Sequence, residues 1–150
     1  MKGFTLFELL VVFAIVAIVT SLGIASYNAY NSNQTVQSSA SDVATMLATA
    51  KSRALSQVIP PSCATNPVTG YQVDVAVGTQ DYTLSAICNG KQVLTTNNLA
   101  PNVTFGVGST TSVLFNISDG TVASTATIII NGYGKTKTIT ISPTGNITVN

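Results

Sequence analysis

From Phe4 to Ala25 the chain carries one charge, Glu8, and Leu9 to Val19 is an unbroken run of eleven apolar residues. After Glu8 no charged residue appears until Asp42. A helix over these 22 residues rises about 33 Å, enough to cross a hydrocarbon core of about 30 Å. Alternatives stand on the pattern alone. A cleaved secretory signal has a basic start and a shorter apolar stretch before small residues, and Ser21 to Ser26 supplies small residues. An ordinary signal anchor would keep Lys2 on the cytoplasmic side and would have no use for Glu8. A carboxylate at membrane depth costs about 2.5–3.5 kcal/mol or more, so it needs a partner or a task.

The rest of the composition narrows the function. Charged residues make up 7% of the chain and the net charge is +1, which gives no field for holding nucleic acid or an acidic substrate. Ser and Thr fill 37 positions and Asn 12, so the surface is polar but nearly uncharged. Histidine is absent. That removes Ser-His-Asp and Cys-His catalysis, His-ligated zinc and the usual general base near neutral pH. No enzyme activity, cofactor or metal is expected.

Met1-Lys2-Gly3-Phe4-Thr5-Leu6-Phe7-Glu8, followed by Leu9-Leu10-Val11-Val12, resembles the start of a type IV prepilin or type II secretion pseudopilin. In that family a short basic leader ends in Gly, a membrane peptidase cuts after it, and the new terminal residue is methylated. The resemblance implies cleavage between Gly3 and Phe4, methylation of Phe4, and an assembly role for Glu8, fifth in the mature chain. Glu8 would pair with the methylated Phe4 amine of an adjacent subunit; the other reading is a carboxylate at the lipid headgroup boundary.

The helical period continues beyond the apolar run. Val36, Ala40, Val43, Leu47, Ala50 and Ala54 follow steps of four and three and form one stripe. Pro60-Pro61 predicts an end near Val58. Gly23 is the one weak point, about 1 kcal/mol in propensity, and any bend would start there or at Thr20-Ser21. The division expected is a leader at 1–3, a transmembrane and filament-core helix at 4–25, its amphipathic continuation at 26–58, and a globular β-domain at 59–150. The fold class is α+β, a long N-terminal helix packed on an antiparallel β-domain.

Seven strands are predicted there from alternation and turn residues: Tyr71 to Val77, Tyr82 to Cys88, Lys91 to Thr95 after the Asn89-Gly90 hairpin signal, Val113 to Ile117, Thr125 to Ile130, Thr136 to Ser142 and Asn146 to Val149. Residues 96–112, rich in Asn, Gly and Thr, read as a long loop. A second resemblance covers about two-thirds of the chain. Ala48 to Gln57, with Lys51 and Arg53, is similar to the helix end of the GspH/FimT family of minor pilins and pseudopilins. Val113-Leu-Phe115, Asp119-Gly120, Thr127 to Ile130 and Lys135 to Ile147 resemble its last strands and closing Gly turn. Some FimT-like members bind DNA through arginines beside that Gly. Here Gly145 is followed by Asn146-Ile147-Thr148, with Lys135 and Lys137 the nearest cations, too few phosphate contacts for affinity.

Cys63 and Cys88 are the only cysteines. In an exported domain they are expected to form a disulfide, which would stabilise the fold by about 3–4 kcal/mol in the chain-entropy model; two buried free thiols are the alternative. This placement differs from the C-terminal disulfide loop of many major pilins. Sequons begin at Asn33, Asn102, Asn116 and Asn146, about as many as chance gives in such a composition.

Two function classes remain: a structural subunit of a type IV pilus-like filament or secretion pseudopilus, minor or major, and a membrane-anchored surface binder or adhesin, including a weak DNA-uptake pilin. The first implies prepilin peptidase, other pilin or pseudopilin subunits, an inner-membrane assembly platform, and membrane lipid before assembly. It also implies a single-pass cytoplasmic-membrane protein with its globular domain outside, then an extracellular pilus or a periplasmic, cell-envelope pseudopilus.

Overall fold

The computed structural model describes residues 5–150, with backbone alone at 21–26. Helix α1 runs Leu6–Leu55. A 3₁₀ turn, Pro61–Cys63, follows it. Eight strands come next: β1 Gly70–Val75, β2 Asp81–Cys88, β3 Gly90–Asn98, β4 Val103–Phe105, β5 Ser112–Asn116, β6 Ala126–Gly132, β7 Lys135–Ile141 and β8 Ile147–Val149. The chain divides into two compact units, Met1–Gln34 and Thr35–Asn150.

Within the first unit α1 has no proline, and it passes Gly23 as regular helix. The Thr20 hydroxyl donates to the Val16 carbonyl at 2.7 Å. That bond satisfies a polar side chain inside an apolar stretch without an outside partner. Among the described residues no helix is long and apolar enough to cross a membrane. The expected span at 4–25 lies partly outside them, at Phe4 and at the side chains of 21–25.

The second unit is α+β. Val36, Ala40, Val43, Leu47, Ala50 and Ala54, the predicted stripe, are all fully buried. They pack with the inward faces of two antiparallel sheets, ordered β3-β2-β1-β5 and β4-β6-β7-β8. The first sheet contributes Tyr71, Val73, Leu84, Ala86, Val113 and Phe115; the second contributes Val103, Ile128, Ile130, Ile139 and Ile141. Each Val, Leu, Ile or Phe among them is worth about 1.5–3 kcal/mol when removed from water. Tyr82 and Phe105 join the sheets edge to face, with ring centroids 5.9 Å apart.

Two local readings are corrected. The helix stops at Leu55 rather than near Val58, because Gln57 takes a left-handed φ of 50°. Its N–H donates to the Ala54 carbonyl at 3.3 Å and the Val58 N–H to Arg53 at 3.2 Å. These two bonds form the six-to-one and five-to-two closure that ends many helices before a proline is reached. The second correction concerns 96–112. Residues 96–98 complete β3, and 103–105 form β4, paired antiparallel with β6 as Val103↔Gly132 and Phe105↔Ile130. Beyond β4 the backbone stays beside β6, with Gly106 N–H on the Ile129 carbonyl at 2.7 Å and Thr110 N–H on Thr127 at 2.7 Å. A side chain at Gly106 would meet Ile129 at 2.7 Å, so the glycine there permits close strand approach rather than marking a free loop.

The segment leaving the helix is tied in three ways. Tyr71 donates its hydroxyl to the Val58 carbonyl at 2.6 Å, Ser118 N–H donates to Ala54 at 3.1 Å, and Cys63 is bonded to Cys88 with Cα atoms 5.9 Å apart. Further along, Lys51 Nζ donates to the Thr144 carbonyl at 3.3 Å. Gly145 stands beside it at φ 72°, where a Cβ would strike the Gly120 carbonyl.

Candidate functional site at the helix N-terminus

Thr5 precedes the first turn of α1 and Glu8 lies three residues on. Glu8 N–H donates to Thr5 Oγ1 at 3.3 Å. In return Thr5 N–H and Thr5 Oγ1 both donate to Glu8 Oε2, each at 3.1 Å. This is a capping box, in which two of the helix's orphan donors are satisfied reciprocally. Such a cap is worth about 0.5–2 kcal/mol, and the carboxylate also sits at the positive end of the helix dipole. Thr5 is the residue sequence reasoning missed. Its signal was present, since Thr-x-x-Glu before an apolar run is the capping-box spacing.

The box gives Glu8 a partner within its own chain, which offsets part of the penalty of placing it near lipid. It does not exhaust the group. Both bonds fall on Oε2, and among the described residues Oε1 accepts none. An ionised carboxylate has about four acceptor positions, so the bonds among the described residues use only part of its capacity. Gly3 and Phe4, the residues expected to be cut and methylated, lie outside the described residues.

C-terminal to the box the helix is apolar on every side. The large apolar side chains from Leu6 to Val19 are 39% to 84% exposed, and no contiguous patch of that extent is left bare on an ordinary soluble monomer. The arrangement supplies a sticky cylinder with one carboxylate at its tip.

The other predicted residues sit elsewhere. Cys63 and Cys88 link the 3₁₀ turn to the end of β2 in the second unit. Lys135 is exposed and Lys137 half-buried, both on β7. Asp119 accepts from Thr121 N–H at 3.0 Å and Thr121 Oγ1 at 2.9 Å, and these two donors hold its carboxyl below the ordinary carboxylate value. Among the described residues no group of three Cys, Asp or Glu could hold a metal ion.

Residues 1–24 match the model of the prokaryotic N-terminal methylation motif. The motif indicates the type IV pilin and pseudopilin superfamily, whose members are structural subunits and not enzymes. It points to processing at the membrane by prepilin peptidase, with other pilins as the general class of partner. No curated protein and no solved structure matches the chain.

Proposed function

We propose that this chain is a minor pilin or pseudopilin of the GspH/FimT kind, a structural subunit of a type IV pilus-like filament or a type II secretion pseudopilus. Prepilin peptidase cuts between Gly3 and Phe4 and Phe4 is methylated. The segment from Phe4 to Ala25 then holds the subunit in the cytoplasmic membrane until an inner-membrane platform assembles it, with the β-domain outside. The observation that supports this reading most is the union of the methylation motif over 1–24 with an apolar helix exposed on all sides. Glu8 has two tasks in this account: Oε2 caps its own helix, and Oε1 receives the Phe4 ammonium of a neighbour. A charge-assisted bond of this kind is short and directional, and it selects one axial offset among the many that apolar packing alone allows.

The test is mass spectrometry of the chain from its native host. It should begin at methylated Phe4 and retain the Cys63–Cys88 bond. An intact Met1 in assembled material would contradict the reading. For the minor assignment, the chain should form a small fraction of the subunits in isolated filaments; dominance of the filament mass would make it a major pilin.

A further inference from the structure

The first unit carries two tyrosines just past its apolar run. Tyr27 and Tyr30 are each 68% exposed. They stand three residues apart on α1, so they share one flank with about 4.5 Å of rise between them. Neither belongs to the buried stripe, which begins at Val36. The residues around them, Asn28, Asn31, Ser32, Asn33 and Gln34, are polar and uncharged. A phenol ring gains nothing from bulk water, and its hydroxyl is costly to strip of water in hydrocarbon. Tyrosine therefore collects between the two, at the headgroup level of a membrane.

The distance from Glu8 is a second observation, independent of the exposure. Nineteen positions separate Glu8 from Tyr27, about 28 Å of helix, against a hydrocarbon core about 30 Å thick. Every residue between them is uncharged, and the Thr20 hydroxyl is turned back onto the Val16 carbonyl.

Two registers are open to such a helix. With Phe4 to Ala25 centred on the midplane, Glu8 lies about 5 Å inside the hydrocarbon and Tyr30 leaves the headgroup layer. A slide of about 4.5 Å toward the N-terminal side brings Glu8 to its boundary. The same slide seats Tyr27 and Tyr30 in the opposite headgroup layer, about 14 Å and 19 Å from the midplane. One displacement relieves both ends.

We propose that Tyr27 and Tyr30 are a lipid-headgroup anchor, in the leaflet opposite Glu8. They hold the helix with Leu9 to Ser26 in hydrocarbon and Glu8 at the other headgroup boundary. The inference rests on the membrane-held subunit proposed above and gives that subunit its depth. At this depth the Glu8 carboxylate stays hydrated in lipid and avoids the penalty of the bilayer interior.

The chain contains no tryptophan, so a single one reports its own depth. The full chain carrying Phe7→Trp, Ile18→Trp, Tyr27→Trp or Tyr30→Trp is reconstituted in phosphatidylcholine vesicles. The lipids carry bromine as a quencher, either near the headgroup or near the end of the acyl chain. All four positions are exposed, so none of these changes opens the buried core. The Ile18→Trp reporter should lie about 1 Å from the midplane, with Phe7→Trp and Tyr27→Trp nearly matched at about 16 Å and 14 Å. A Phe7→Trp reporter about 8 Å nearer the midplane than Tyr27→Trp would restore the Phe4-centred register and overturn the proposal. Adding Tyr27→Leu/Tyr30→Leu to Phe7→Trp lengthens the apolar run and should push that reporter about 3 Å further from the midplane. An unchanged depth there would show that the phenols anchor nothing and would overturn the proposal. Tyr27→Trp and Tyr30→Trp unquenched beside a deep Ile18→Trp would overturn the anchor and leave the membrane-held subunit standing. No quenching at any position would remove the membrane-held subunit itself, and this inference with it.

Discussion

Two stretches of one helix have opposite fates. Between Leu6 and Val19 every large apolar side chain is exposed, whereas between Val36 and Ala54 the apolar stripe is fully buried beneath two sheets. The first stretch is apolar around its whole circumference. The second confines its apolar residues to one face, at steps of four and three. A stripe can be satisfied by one partner surface, and this chain supplies it. A cylinder must be surrounded, and lipid or further copies of the helix are the surroundings that chemistry allows. The comparison separates what the chain does for its own stability from what it leaves for assembly.

The contrast breaks most visibly with paired phenylalanine variants. Phe115→Ala empties a fully buried site and should cost about 3–5 kcal/mol in denaturant unfolding. Phe13→Ala should change that stability by less than about 0.5 kcal/mol and instead lower incorporation into filaments. Equal stability losses at both positions would erase the distinction.

Next in size is the disulfide. Cys63→Ser/Cys88→Ser should lower the unfolding free energy of the β-unit by about 2–4 kcal/mol without altering cleavage at the N-terminus. Gly145→Ala comes third. A Cβ there meets the Gly120 carbonyl from a backbone at positive φ, so about 1–3 kcal/mol should be lost; an unchanged melting temperature would show that the closing turn relaxes freely.

The smallest effect concerns Tyr71. Burial holds its phenol above the ordinary value of 10.0, so the folded state keeps a proton that the unfolded chain releases. Its contribution is therefore complete below about pH 10 and is lost as pH rises beyond it. Tyr71→Phe removes the bond to the Val58 carbonyl and should cost about 1 kcal/mol near neutral pH. It should also flatten the alkaline loss, with Tyr82, raised likewise by burial, retaining part of the slope.

Much of this contrast was legible in the residues. The buried stripe followed from period alone, and seven strands followed from alternation and turn residues. What was not legible shares a cause. β4 has three residues, too few to establish a period, and its Asn-, Gly- and Thr-rich surroundings pair by backbone that no side chain advertises. The helix end was misplaced because Gln57, not a glycine, adopts the left-handed closure. At the site, Glu8 stood out by its charge, but attention to that charge hid its ordinary task. Thr5 and Glu8 have the spacing of a cap, and only the paired distances show that the carboxylate serves its own helix with one oxygen.

The double use proposed for Glu8 makes Glu8→Gln the most direct measurement. Glutamine retains an oxygen for Thr5 and so keeps the cap, but it removes the charge offered to a neighbour's amine. In the native host the account predicts that Glu8→Gln is cut after Gly3, is held in the membrane, and is recovered in sheared filaments at about one-tenth of the parent level or less, the fraction expected from losing a charge-assisted pair. Glu8→Gln protein recovered in filaments as abundantly as the parent would contradict it.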